Sequence, residues 1–117
     1  GAVEAEALVT TCRETRARRV DVRLTGFTPA WAAVPEKEMA ERSPFDFLDF
    51  WAVDFDHPEG KEFFEHHWQA YRTRKERSLP LATDCGYVYA AGGTKRIAVK
   101  VVDVFGVETT TVIETLP

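Results

Sequence analysis

The sequence predicts an all-β protein, an antiparallel β-sandwich of about seven strands with one short helix in an insert. Two runs near the end of the chain carry that expectation. In the first, residues 96–106, Ile97, Val99 and Val101 alternate with Ala98, Lys100 and Val102. A period of two, rich in β-branched residues, marks a strand with one face in a core. Asp103 and Gly106 then mark a turn, and Val107, Thr109, Thr111 and Ile113 resume the alternation, so the two runs read as a hairpin.

Upstream, residues 5–11 read as a first strand, with Leu8, Thr10 and Cys12 on one side and Ala7 and Val9 on the other. After a charged connection over 13–19, Val20, Val22 and Leu24 alternate with Asp21, Arg23 and Thr25 until Gly26 and Phe27 close a second strand. These two runs are expected to pair. Residues 28–44 break all periodicity, punctuated by Pro29, Pro35 and Pro44, and the stretch 36–42 has the composition of a helical turn or two. An insert of this kind is either a mobile loop or an interaction surface.

In the aromatic segment 45–55, Phe45, Phe47, Trp51, Val53 and Phe55 share one face, and Leu48, Phe50 and Ala52 share the other. Apolar residues on both faces indicate a strand covered on both sides, hence a central one. Asp56-His57-Pro58-Glu59-Gly60 is a turn, Pro58 fixing φ and Gly60 supplying the permissive position. Phe64, Trp68 and Tyr71 fall at i, i+4 and i+7, widened by Phe63 and His67. That is an amphipathic stripe, which favours the short helix at 61–68 with extended chain from Ala70 onward, although Trp68, Ala70 and Arg72 would also serve a strand. Residues 78–82, weakened by Pro80, and Tyr87-Val88-Tyr89 are short extended pieces, and Gly92-Gly93 turns into the long strand. The expected core is Val22, Leu24, Phe47, Trp51, Val53, Val99, Val101 and Ile113.

At 117 residues the chain is expected to be a single domain over 1–117, one that buries roughly two-thirds of its unfolded surface. Its 44% apolar and 29% charged content is that of a folded protein rather than a disordered one. The net charge of -4 opposes phosphate binding by the surface as a whole. Basic clusters exist nonetheless, at Arg13, Arg16, Arg18 and Arg19 and at Arg72, Arg74, Lys75 and Arg77, where solvated charge is the plain alternative. Cys12 and Cys85 fit no metal-ligand spacing; reduced thiols are expected, although a sandwich could pair them. The apolar stretches are strand-length, so no membrane partner is expected. The chain opens Gly1-Ala2-Val3 without methionine, as a fragment of a longer protein would.

Candidate chemistry is sparse. Asp54, Asp56 and Glu59 offer hard oxygens around one turn, as calcium needs, but no Asp-x-Asp-x-Asp-Gly loop follows. His57, His66 and His67 lack the spacing of a ligand set, and adjacent histidines diverge on any regular element. No metal or other cofactor is expected. No Gly-x-Ser-x-Gly elbow is present, and Cys85 beside Gly86 reads as an ordinary loop residue. Trp31, Trp51, Trp68, Tyr71, Tyr87 and Tyr89 could form an aromatic platform for single-stranded nucleic acid, with Arg72 and Arg74 interleaved; a core rich in aromatics is the favoured explanation of them.

Two family resemblances follow from these stretches. Trp51-Ala52-Val53-Asp54-Phe55-Asp56, then Tyr87, then the run Ile97 to Gly106, follow the order of a PKD-like repeat. Such repeats carry a Trp-x-Phe-Gly-Asp-like turn, a later Tyr and a strand ending in Val-x-Asp-x-x-Gly. The chain departs from it at Asp54-Phe55-Asp56-His57 and in a longer insert before Tyr87. Residues 45–117 also resemble the C-terminal tail of bacterial adenine-specific DNA methylases of the restriction-modification type. There, stretches like 50–56, 64–74 (with Trp68-Gln69-Ala70-Tyr71-Arg72 at its centre) and 99–109 occur in this order. The methylase's own Asp/Asn-Pro-Pro-Tyr/Phe tetrapeptide and its Phe-x-Gly-x-Gly loop for S-adenosylmethionine are absent.

The resemblance implies an Ig-like or PKD-like sandwich serving as a non-catalytic C-terminal accessory domain of a cytoplasmic DNA adenine methylase. Its partners would be its own methyltransferase domain, DNA or a restriction-modification subunit, with Arg72, Arg74, Lys75 and Arg77 as the expected contacts. The alternative is a PKD-like spacer or adhesion module of a surface or secreted protein. A carbohydrate-binding sandwich using exposed Trp31 or Trp68 is a third.

Overall fold

The computed structural model describes residues 2–29 and 43–117. The helical stretch expected at 36–42, Trp31 and most of the insert lie outside them. The all-β expectation holds. β1 (Ala2–Thr11) and β2 (Arg18–Thr28) form one antiparallel sheet; β3 (Leu48–Asp54), β4 (Trp68–Tyr71), β5 (Lys95–Asp103) and β6 (Glu108–Thr115) form a second, in the order β4-β3-β5-β6. Both expected hairpins, β1–β2 and β5–β6, are present.

The first hairpin carries a bulge that the alternation alone hides. Glu4 pairs with Gly26 and Ala5 with Leu24, leaving Thr25 as the extra residue. The inward phase therefore shifts from Val20, Val22 and Leu24 to Phe27, which meets Val3; all five are buried. A Cβ on Gly26 would lie 3.3 Å from the Glu4 carboxylate, so the tight pairing favours glycine there.

The second sheet faces the first across a shared core. Trp51 and Val53 of β3 pair with Val101 and Val99 of β5, and both sheets contribute to one cluster that also holds Phe47, Leu48, Phe55, Leu79 and Ile97. Seven of the eight expected core residues are buried; Ile113, on the outermost strand, is half-buried against the cluster. A further extended stretch follows β2: Val20 bridges Tyr87, Arg23 bridges Ala82, and the Thr83 amide donates to the Val22 carbonyl at 2.9 Å. It is an irregular continuation of the first sheet, broken where residues 84–86 bow outward. β1 also runs close to β6, so the two sheets approach along one side.

Two expectations are corrected. Segment 45–55 is not one strand: Pro44–Phe47 is a 3-10 turn with proline in its first turn, and β3 begins only at Leu48. Residues 61–68 are not a helix. Trp68 joins β4 opposite Val53 and packs at a tilt against Trp51, ring centroids 4.6 Å apart, while residues 55–67 run irregularly over the sheet's other face. Sheet pairing and the pull of the Asp54 carboxylate outweigh the helical stripe. Ala52 and Ala98 point to that outer face and are fully buried, their small side chains letting the loop lie close. Lys100 Nζ stands 4.5 Å from the Phe64 ring centroid above it.

Candidate functional site

The basic loop that leaves β4 is built around Arg72. Its backbone amide donates to Asp49 O at 3.0 Å, prolonging the β3–β4 ladder. Its Nε donates to Leu48 O at 2.7 Å, one terminal nitrogen to Phe45 O at 3.0 Å, and the other to Arg77 O. One guanidinium thus ties the start of β3, the 3-10 turn and the far side of its own loop. This is a structural task, one that the expected contact role did not include. A turn between Thr73 and Glu76 closes the loop, with bonds of 2.8 and 2.9 Å. Arg74, Lys75 and Arg77 are left exposed on it, so the structure groups these three cations at one end of the four-stranded sheet.

The turn between β5 and β6 lies at the same end. Leu48 pairs with Asp103, and the Val104 amide donates to Phe47 O at 2.8 Å, so this turn and the basic loop hang from the same 3-10 turn. Asp103 is buried and its Oδ1 accepts the amides of Phe105 and Val107 at 2.9 and 3.0 Å. Gly106 adopts φ +81°, which glycine tolerates without cost from a Cβ. On this held turn Val104, Phe105 and Val107 are 40–45% exposed.

A third cluster surrounds Asp54 at the opposite end of β3. Its buried carboxylate accepts the amides of Asp56 and Glu65, each at 3.0 Å, and pairs with His57 Nδ1 at 2.8 Å and Lys61 Nζ at 3.1 Å. Burial alone raises the carboxyl's pKa, but the Glu65 amide, His57 and Lys61 together outweigh it and hold the group below the usual aspartate value. Asp54, Glu65 and His67 place ligand atoms within 4.8 Å of one another. The surroundings already satisfy them, however. Lys61 supplies the counter-charge, and His67 Nδ1 accepts the Phe55 amide at 3.0 Å, which leaves Nε2 as the protonated nitrogen directed at Glu65. A metal would have to displace the lysine and reverse the tautomer. The three residues weighed for calcium are not convergent: Asp54 faces its own loop, while Asp56 and Glu59 are exposed.

The histidines diverge as adjacent positions should. His67 packs against Tyr87, whereas His66 turns outward, its Nε2 2.9 Å from Lys100 Nζ. Most of the aromatic residues serve packing. Trp51 is fully buried and donates to Pro80 O at 2.7 Å, Trp68 donates to Asp84, and Tyr87 stacks on Phe55 at 4.9 Å. Only Tyr71 of the considered platform is strongly exposed among the described residues, at 58%. An open depression of about 280 Å³ between Arg18, Tyr89 and Pro117 is lined by no acidic, histidine or cysteine side chain. Cys12 and Cys85 are unpaired.

No family model, curated protein or solved structure matches this chain. The site must therefore be read from its chemistry. What the sequence concealed is the division of labour inside one basic run, together with the apolar turn beside it. The turn's Asp103 and Gly106 were visible as turn residues, but the exposure of Val104 and Phe105 was not, because both continue a strand-like run.

Proposed function

We propose that this chain is a non-catalytic accessory module of a cytoplasmic DNA adenine methylase, in an Ig-like or PKD-like sandwich, that adds a DNA contact to its own methyltransferase domain or restriction-modification partner. The observation that carries the DNA contact is the 72–77 loop. Arg72 anchors it through three carbonyls, and Arg74, Lys75 and Arg77 are presented outward from that base. Fixed exposed cations suit phosphate contacts that position a protein without reading sequence. The likeness of residues 45–117 to methylase tails supplies the wider context.

The test is fluorescence anisotropy of this chain on a short duplex across a salt series. Each of Arg74→Ala, Lys75→Ala and Arg77→Ala should weaken binding to all sequences alike and reduce the salt slope by about 1. A chain that shows no affinity for duplex at low salt has no DNA contact, and the reading fails.

A further inference from the structure

We propose that the β5–β6 turn is an apolar wedge, with Phe105 at its point, that enters a base step of duplex DNA beside the phosphates held by Arg74, Lys75 and Arg77. This rests on the DNA-contact reading above and adds to it a second, uncharged element.

The backbone of the turn is prepared for an apolar environment. Asp103 N donates to Val107 O at 3.0 Å, Val104 N to Phe47 O at 2.8 Å, and Gly106 N to Asp103 O at 3.0 Å. Phe105 N and Val107 N both donate to the Asp103 carboxylate. Every amide from Asp103 to Val107 is thus satisfied within the protein. An anion-gripping turn would leave amides free to point outward; this one has no free amide to offer an anion. The turn presents Val104, Phe105 and Val107, one ring between two short branched residues, all substantially exposed. Entering a dry environment costs such a turn no amide hydrogen bond to water.

The neighbouring charge selects the occupant. The wedge and the cationic loop are suspended from two ends of one four-residue turn, through Phe47 O and Phe45 O. Among the described residues, Glu76 is engaged by Ser78, Glu108 lies 3.8 Å from Lys100 and Asp103 faces its own amides, leaving half-buried Asp49 and exposed Asp46 against the exposed Arg74, Lys75 and Arg77. An apolar wedge flanked by phosphate-holding cations is the combination with which minor-groove proteins unstack and kink a base step. One ring and two short side chains bury too little area to anchor a bilayer.

The experiment uses this chain with closed circular plasmid relaxed by topoisomerase, read beside duplex anisotropy. Insertion lowers the linking number of the relaxed plasmid. Phe105→Ala should abolish that change and weaken duplex binding about ten-fold, while Phe105→Leu, which keeps an apolar point, retains most of both. Duplex binding without a linking-number change, or with Phe105→Ala unaltered, overturns the wedge and leaves the phosphate contact standing. No binding to duplex by the unaltered chain overturns both. Binding to phosphatidylglycerol vesicles in preference to duplex, lost with Phe105→Ala, assigns the turn to lipid and also overturns the wedge.

Discussion

Lys61 Nζ stands 3.1 Å from Asp54 Oδ2, so a fully buried carboxylate carries its own cation within the loop that covers it. The same ammonium reaches Asp56 O at 2.7 Å, closing the turn made by Pro58 and Gly60. Asp54 is the peg around which residues 55–67 are wound.

Replacing that peg should unwind the loop. Asp54→Ala leaves two amides, His57 and Lys61 without their acceptor, and costs about 3 kcal/mol in urea unfolding at neutral pH. The acid limb follows from the same group. Its folded pKa lies below its unfolded value, so the stabilisation is complete above the ordinary aspartate range and is lost as pH falls through the lower, folded value. Asp54→Asn should flatten the fall in stability below pH about 4. An acid limb unchanged in that variant places the titration elsewhere.

Arg72 and its neighbours should separate cleanly. Arg72→Ala removes three bonds from a charged donor to backbone carbonyls and should destabilise the fold by about 2 kcal/mol. Arg74→Ala and Lys75→Ala, on exposed side chains, should stay within about 0.5 kcal/mol of the parent. Denaturant titration of the three variants decides it, and equal costs would show that Arg72 does not anchor the loop.

The two thiols should differ in reactivity. The Thr15 hydroxyl, then the Thr15 and Glu14 amides, draw the Cys12 pKa down to about 7, with Arg19 adding to the effect. Burial and the Asp21 carboxylate push Cys85 up. Because the thiolate is the nucleophile, iodoacetamide at neutral pH should label Cys12 first, more slowly as the pH is lowered through 7. Peptide mapping by mass spectrometry reads the order directly.

Gly106→Ala tests how firmly the β5–β6 turn is held. A Cβ there meets nothing within 4 Å, so any cost arises from the backbone at φ +81°. It should be about 1 kcal/mol, visible as a shift in thermal midpoint. A neutral substitution would mean that the turn relaxes out of this conformation.

Much of this architecture was legible because strands announce themselves by alternation. The β5–β6 hairpin and most core residues of β2 and β5 could be read from residues 96–113 and 20–24. The misreading at 61–68 has a physical source: Phe64 and Trp68 share a helical stripe by spacing, but lie on opposite faces of the sheet once Trp68 pairs with Val53. Asp54 was noticed as a possible ligand; its actual partners, Lys61 and the Glu65 amide, become visible only when the loop closes. Likewise, a run of arginines does not say which guanidinium turns inward. The carbonyls at Phe45 and Leu48 decide that for Arg72.

Thr83 clasps two distant parts of the chain. Its hydroxyl accepts the Val22 amide at 3.0 Å and donates to Asp21 at 2.6 Å, across sixty-one residues of sequence in the first case. Each hairpin can zip between near neighbours in microseconds. The Thr83 clasp spans the whole middle of the chain, so it is expected to close after the slowest step, once that middle has been gathered. A clasp formed so late is also the first to open. Loosening it, as in Thr83→Val, should quicken escape from the native state while leaving the speed of arrival nearly untouched.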